Sequence, residues 1–436
     1  MEIENVKGGY DFLPEEQNIR NYINNTLKEV FEQYGYCSIE TPILCYYDIL
    51  AGKYDESNDL LNEIYKLTDQ GKRKLGLRYD LTVPFSKLIA LNKNKLTMPF
   101  KRYEIAKVFR DGPIKAGRDR EFTQCDVDVV GIEGQMIEAE LVSLYVESFK
   151  KLKIDVEIKY NSRKLMNGLI LESGVAEDLT SKTITIIDKI EKLSKEDFEK
   201  ALLEIGLTTE QSEKLQQYFS MTLEQINEMF KDTQNLVLEE GLKELNELND
   251  YLTALNIQEY CKFTSSLARG QDYYTGTVFE VYEKNGVLNC SIGGGGRYDK
   301  IITDFINDGN VYPAVGVSFG LTSLYAILKD RAELSKKSQL DFYIIPMGTE
   351  KESLKLAIDL RKQGFNVDIS MNGRKLKKCL DYANKANIPY VIILGEDEIE
   401  KGSFLIKDMN NKNQIEVSFD KIESVKDLTN MDNILQ

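Results

Sequence analysis

Lys101-Arg-Tyr-Glu-Ile-Ala-Lys-Val-Phe-Arg110 runs into Asp111-Gly-Pro113 and then into Arg118-Asp-Arg-Glu-Phe-Thr-Gln-Cys-Asp-Val-Asp128. Two β-type runs rich in Val, Ile, Phe and Tyr flank a segment with Gly and Pro, which reads as strand, turn, strand. Arg110, Arg118 and Arg120 cluster around the turn. A planar guanidinium matches phosphate oxygens bidentately, so three of them make a clamp for a polyanion, and a solvated basic hairpin is the other reading.

Outward from this hairpin, Pro14-Glu-Glu-Gln opens a helix, because Pro suits a first turn and the acids suit the positive end of the dipole. Ile19, Tyr22, Ile23, Leu27, Val30 and Phe31 keep helical spacing up to Gly35. A strand-like run, 36–44, contains Pro42, which makes it an edge or a boundary. Further β-type runs lie at 75–79, 277–282 and 287–292. Strands joined by long connections predict a mostly antiparallel sheet flanked by helices, an α+β fold and not a Rossmann unit. Residues 161–256 change character: they lack proline and carry Leu, Lys and Glu at helical spacing, which predicts a helical insertion. The segment 333–339 is a polar linker. From 340 to 436 the pattern is βαβαβ, over 342–346, 352–362, 366–370, 374–385 and 390–394, a separate small α/β domain. The sheet domain then comprises 1–160 and 257–332.

The net charge of −15 excludes a general nucleic-acid coat but allows a local basic face. The cysteines are scattered without a C-x-x-C pair, which argues against a zinc ribbon or a disulfide scaffold and fits a reducing cytosol. The acidic start, Met1-Glu-Ile-Glu-Asn5, is unlike a signal peptide, and no run approaches the ~20 apolar residues of a membrane span. A cytoplasmic protein with no membrane partner is expected. The chain contains no histidine. That removes every Ser-His-Asp or Cys-His catalytic set and every His-ligated metal.

Two other segments carry chemistry. In Leu267-Ala-Arg-Gly-Gln-Asp-Tyr-Tyr-Thr-Gly276, paired tyrosines beside Arg-Gly suit either core packing or the polar-tipped walls of a pocket. Gly293-Gly-Gly-Gly296, followed by Arg297-Tyr-Asp299, reads as a loop where backbone approaches a ligand; no Gly-Lys-Ser/Thr follows, so it is not a P-loop.

Together these segments resemble the histidyl-tRNA synthetases, a class II aminoacyl-tRNA synthetase family. Lys7-Gly-Gly-Tyr-Asp-Phe-Leu-Pro14 is similar to the family's opening, Gly35-Tyr-Cys-Ser-Ile-Glu-Thr-Pro42 to motif 1 and Leu77-Arg-Tyr-Asp-Leu-Thr-Val-Pro84 to its histidine-binding strand. Arg110 to Asp128 is similar to motif 2. Arg269-Gly-Gln-Asp-Tyr-Tyr274 and Gly294 to Asp299 are similar to two signatures peculiar to the family. The resemblance covers nearly the whole chain. It implies a class II sheet, a helical insertion, an anticodon-binding C-terminal domain and a homodimer built through motif 1. It also implies L-histidine, ATP with Mg2+ and tRNA(His) as substrates, with a synthetase-like regulatory protein as the alternative activity. By position, Asp80, Thr82 and Gln124 would hold the amino acid's ammonium and carboxylate, and Asp128 and Tyr274 the imidazole nitrogens, with Tyr298 nearby. Arg110 would grip the ATP α-phosphate, Phe122 would stack on adenine, Arg118 would reach the β/γ-phosphates, and Arg269 would approach the α-phosphate from the other side. The family's third motif, Gly-Leu-Glu-Arg-Leu, is Gly320-Leu-Thr-Ser-Leu324 here. The missing arginine is worth on the order of 2–4 kcal/mol of transition-state stabilisation, and Lys329 is a candidate substitute.

An enzyme that charges histidine but contains none can be translated without histidyl-tRNA. Compositional drift is the competing account, since tryptophan is absent too. In cells depleted of histidine, synthesis of the natural chain is expected to persist. A version with several surface Asn or Gln residues changed to His should slow alongside a histidine-containing control. Equal slowing of all three would leave drift as the explanation.

Overall fold

The hairpin belongs to the main sheet of the structure, a computed structural model that describes residues 3–52, 59–114, 119–190, 193–269, 273–331, 334 and 338–428. Phe100–Phe109 pairs antiparallel with Glu121–Val130 along its whole length, Phe100 opposite Val130 and Phe109 opposite Glu121. Around it grows an eight-stranded sheet in the order Cys37–Ser38, Phe100–Phe109, Glu121–Val130, Ala314–Gly320, Gly293–Arg297, Thr277–Glu283, Val156–Ser162, Cys261–Phe263. The two short outermost strands pair parallel, and every other pairing is antiparallel.

One sheet face is sealed by helices. Pro14–Gln33 buries Ile19, Ile23, Leu27, Val30 and Phe31 against it, and Glu16 accepts the Leu13 N–H at 3.0 Å to close its first turn. Met136–Leu152 buries Leu141, Tyr145 and Phe149 on the same side. Phe319 sits among Phe31, Tyr145 and Phe149, with ring centroids 5.6, 4.7 and 5.4 Å away. The odd-numbered side chains of Glu121–Val130 face this core, which leaves Gln124, Asp126 and Asp128 on the opposite face. A three-stranded sheet, with Lys74–Leu77 between Leu44–Tyr46 and Lys66–Thr68, ends at Arg78 and Asp80.

The run 36–44 is an edge and a boundary, as Pro42 inside it implies: Cys37–Ser38 is an outermost strand of the eight-stranded sheet, and Leu44–Tyr46 joins the three-stranded one. The reading of the glycine segment needs correction. The glycine run is not a loop: Gly293–Arg297 is an interior strand paired on both sides, and 287–292 leads into it without forming a strand.

The chain divides into two compact units, Met1–Asp330 and Arg331–Gln436. Within the first, helices from Arg163–Glu172 to Leu236–Ala254 form the proline-free segment. In the second, Val367–Ile369, Phe342–Met347 and Tyr390–Gly395 pair in parallel, and Ser403–Asp408 and Gln414–Ser418 add an antiparallel hairpin. That hairpin is absent from the βαβαβ reading: Ser403–Asp408 does not alternate polar and apolar residues, and Gln414–Ser418, which does, is only five residues long.

Helices Arg163–Glu172 and Leu236–Ala254 meet backbone to backbone at two glycines. A Cβ on Gly168 would lie 2.5 Å from Leu238 Cα, and one on Gly241 would lie 2.3 Å from Leu165 N. Neither neighbour is a flexible side-chain tip, so the helices must separate. Gly241→Ala is expected to cost about 1–3 kcal/mol despite alanine's better helix propensity, read as a lower melting temperature. An unchanged or raised melting point would mean that this crossing does not limit stability.

Candidate active site

A cavity of about 110 Å³ opens on the sheet face opposite Phe319, lined by Asp80, Thr82, Arg110, Gln124, Asp126, Asp128, Arg269, Tyr273, Tyr274 and Tyr298 with backbone of Gly294, Gly295 and Gly316. Helices Thr82–Asn92 and Asp299–Ile306 pack on this face beside it, through Phe85, Ile89, Ile301 and Ile302. Register explains the floor. Across from Asp128 stand Arg102 on one neighbouring strand and Gly316 on the other; across from Asp126 stand Glu104 and Ser318. Alternate residues of three adjacent strands therefore place charge side by side.

These charges are buried and paired. Arg102, fully buried, reaches the Asp128 carboxylate at 2.6 Å, and the Tyr298 hydroxyl donates to the other Asp128 oxygen at 2.5 Å. Behind them Arg78 pairs with Glu104 at 3.0 Å, and Glu104 accepts the Thr41 N–H and hydroxyl, both at 2.9 Å. Burial raises Asp128 above the ordinary carboxylate range, and the Arg102 guanidinium opposes that rise. Asp80, held by the Val83 N–H at 3.1 Å, is pushed up to about 6 by burial. Burial likewise raises the Tyr274 and Tyr298 phenols, so both remain protonated donors near neutrality.

Two guanidiniums face the cavity. Arg110 donates its Nε–H to the Tyr79 carbonyl at 3.1 Å, and its guanidinium carbon lies 5.0 Å from the Phe122 ring. Phe122 itself is not in the cavity wall. Arg269 donates to the Phe279 carbonyl at 3.0 Å and lies 5.7 Å over the Tyr274 ring. Arg118 and the signature's Gly270, Gln271 and Asp272 lie outside the described residues. The structure thus brings Asp80, Thr82, Arg110, Gln124, Asp128, Arg269, Tyr274 and Tyr298 to one place.

Ser323 is buried near the start of the helix Leu321–Leu328. Lys329 is not its substitute: it is exposed at the helix C-terminus, about 9 Å further along the axis at ~1.5 Å per residue.

The glycines are there for the charged side chains. A Cβ on Gly294 would lie 1.7 Å from Arg269 Nη1, and one on Gly316 would lie 1.9 Å from Asp128 Oδ1. Sequence reasoning misses Arg102, Asp126 and Ser318. The signal is present as period-two polarity, Arg102 and Glu104 on one strand and Gln124, Asp126 and Asp128 on the next, but only pairing register shows that the two rows meet.

Gly316→Ala must displace Asp128 from Tyr298 and Arg102. Uncoupling a buried pair costs about 3–5 kcal/mol, and the urea midpoint is expected to fall accordingly. A midpoint within error of the parent would show that Asp128 can move without loss.

A family model described as histidyl-tRNA synthetase matches residues 8–324, and an anticodon binding domain model matches 341–426. A protein from Bacillus cereus, Histidine--tRNA ligase 1, is 46% identical over 97% of this chain and 100% of its own length. Histidine--tRNA ligase 2 of Shouchella clausii is 44% identical over 95% of this chain and 98% of its own. The crystal structure of histidyl-tRNA synthetase from Nostoc sp. PCC 7120 superposes with a TM-score of 0.85 at 28% identity, covering 98% of this chain and all of that one. Similarity in sequence and in fold thus runs from one end of the molecule to the other, and the chain belongs to the histidyl-tRNA synthetase family.

Proposed function

We propose that the protein is a histidine–tRNA ligase, which joins L-histidine to ATP, releases pyrophosphate and passes the histidyl group to the 3′ end of tRNA(His). The observation that carries this reading is one cavity with guanidiniums, Arg110 and Arg269, in its wall and carboxylates on its floor. A zwitterionic amino acid with a polar ring and an α-phosphate needs that pairing.

The imidazole has two ring nitrogens, and burying either without a partner is costly. Asp128, whose carboxylate Arg102 pairs with, accepts from one N–H, and protonated Tyr274 donates to the other nitrogen. Tyr298 holds Asp128 in place. Asp80, Thr82 and Gln124 take the ammonium and carboxylate. A site built on such bonds rejects an analogue lacking them by roughly 10⁴ or more.

The histidine carboxylate is already an anionic nucleophile. It attacks the α-phosphorus, the bond to the bridging oxygen breaks and pyrophosphate leaves. Charge grows on the non-bridging oxygens, where Arg110 and Arg269 neutralise it from two sides, so no protein base is required. Phe122 stacks on adenine and Arg118 reaches the outer phosphates. ATP enters as its magnesium complex, and the magnesium belongs to the substrate. In the second step the terminal ribose hydroxyl of tRNA attacks the histidyl carbonyl and AMP departs. Residues 340–436 serve as the anticodon-binding domain and 161–256 as the insertion. The hollow of about 670 Å³ at motif 1, beside Ser38, Ile39 and Glu40, belongs to the homodimer contact.

Thr322 and Ser323 in place of the motif 3 acid and arginine favour a second reading, a synthetase-like regulatory protein that binds the same ligands without full ligase activity. ATP–pyrophosphate exchange separates the two. Exchange is expected to depend on histidine and on no other amino acid. Arg269→Lys, which keeps the charge but loses the fork, should lower turnover far more than it weakens histidine binding. A parent protein that binds histidine and ATP without exchange would support the regulatory reading.

A further inference from the structure

Asp126 has no part in the roles above, although it stands on the cavity floor between Gln124 and Asp128. Its Oδ1 accepts a hydrogen bond from the Ser318 hydroxyl. That hydroxyl has one proton, and the proton is committed to Asp126. Ser318 Oγ is therefore left as an acceptor, and the Gln124 amide NH2 donates to it at 3.3 Å. The chain from Asp126 through Ser318 thus decides which end of the Gln124 amide faces the cavity. It is Oε1, which is buried and has no donor. Asp80 presents a second buried oxygen of the same kind, Oδ2, because its Oδ1 is taken by the Val83 N–H. Asp128 Oδ2 also lacks a hydrogen-bond donor but is ion-paired with Arg102. Buried acceptors without donors are uncommon, and the two that have no such cation beside them call for a ligand that brings N–H groups.

Charge points the same way. Arg102 is engaged with Asp128, Arg78 with Glu104, and Arg269 lies 3.7 Å from Glu280. Asp80 feels Arg110 and Asp126 feels Arg102, but neither carboxylate has an ion pair of its own among the described residues, and burial outweighs both guanidiniums and raises Asp80 and Asp126 above the ordinary carboxylate range. A cation placed between them would reverse that effect. A primary ammonium supplies one positive charge and three N–H donors, enough for Asp80 Oδ2, Gln124 Oε1 and the Asp126 carboxylate together.

We propose that Asp126 is a specificity residue for the amino group of the substrate: it receives the α-ammonium with Asp80, and through Ser318 it turns the Gln124 carbonyl toward that same ammonium. The proposal rests on the reading that this cavity takes histidine. It predicts that sensitivity to Asp126 tracks the presence of the ammonium and not the imidazole.

The test compares histidine with its des-amino analogue, 3-(imidazol-4-yl)propionate, by calorimetry and by exchange kinetics in the full-length protein. Asp126→Asn keeps shape but removes the charge and offers an N–H where an acceptor is needed. Its affinity for histidine is expected to fall about tenfold or more, with the ATP KM within about twofold and the affinity for the des-amino analogue unchanged. Ser318→Ala frees the Gln124 amide to turn, so it should move histidine in the same direction by a smaller factor; it carries the test if Asp126→Asn does not fold. Unchanged histidine affinity in these variants, or equal weakening of histidine and the analogue, would overturn the proposal. Failure of the parent protein to bind histidine at all would instead overturn the reading of the cavity.

Discussion

Everything at the pocket depends on keeping ionised groups inside a sheet, away from water. A single carboxylate moved to a low-dielectric interior is strongly penalised unless it is paired and its remaining lone pairs are filled. Here the answer is a continuous polar layer, Arg78–Glu104–Arg102–Asp128–Tyr298, laid across adjacent strands. Each member is oriented by the next, and the apolar core around Phe319 lies on the other face of the same strands. The layer contributes little net stability by itself. Its value is that the carboxylates facing the cavity are fixed before any ligand arrives, so little reorganisation remains for the chemistry to supply.

The same constraint explains the strand of glycines. Guanidinium and carboxylate groups must lie flat over neighbouring backbone to reach their partners, and that requires neighbours without a Cβ. Gly294 leaves room for Arg269 and Gly316 leaves room for Asp128. A run that looks like a flexible loop in one dimension is a sterically closed strand in three, because paired backbones press on it from both sides.

The hairpin, the first helix, the helical segment and the α/β pattern of the last hundred residues are legible in the sequence because each is local: period 2, period 3.6, a proline at a first turn. Eight of the residues singled out by motif also meet in one cavity, since they are tied to strand ends and to a particular family pattern. What is not legible is everything set by register. Arg102 opposite Asp128 and Ser318 opposite Asp126 are pairings between strands about 25 and 190 residues apart, and no local periodicity encodes them. Gly293–Arg297 reads as a loop for the same reason, because glycine's low strand propensity is overridden by what its neighbours need. Lys329 fails as a substitute for the lost arginine once the length of the helix is known.

The glycine strand has one more consequence, for how the pocket can change over evolutionary time or in the laboratory. A wall made of backbone has no side chain to exchange, so it offers no means of altering selectivity. Any retuning of the cavity toward another amino acid falls to the side chains that line it, the row Gln124, Asp126 and Asp128, the tyrosines facing it, and Asp80 and Thr82. In the row, Gln124 and Asp126 share Ser318, and Asp128 is bonded to Tyr298, so single substitutions there disturb several contacts at once. Adaptation of this pocket would have to proceed through concerted changes, which makes its chemistry resistant to gradual drift.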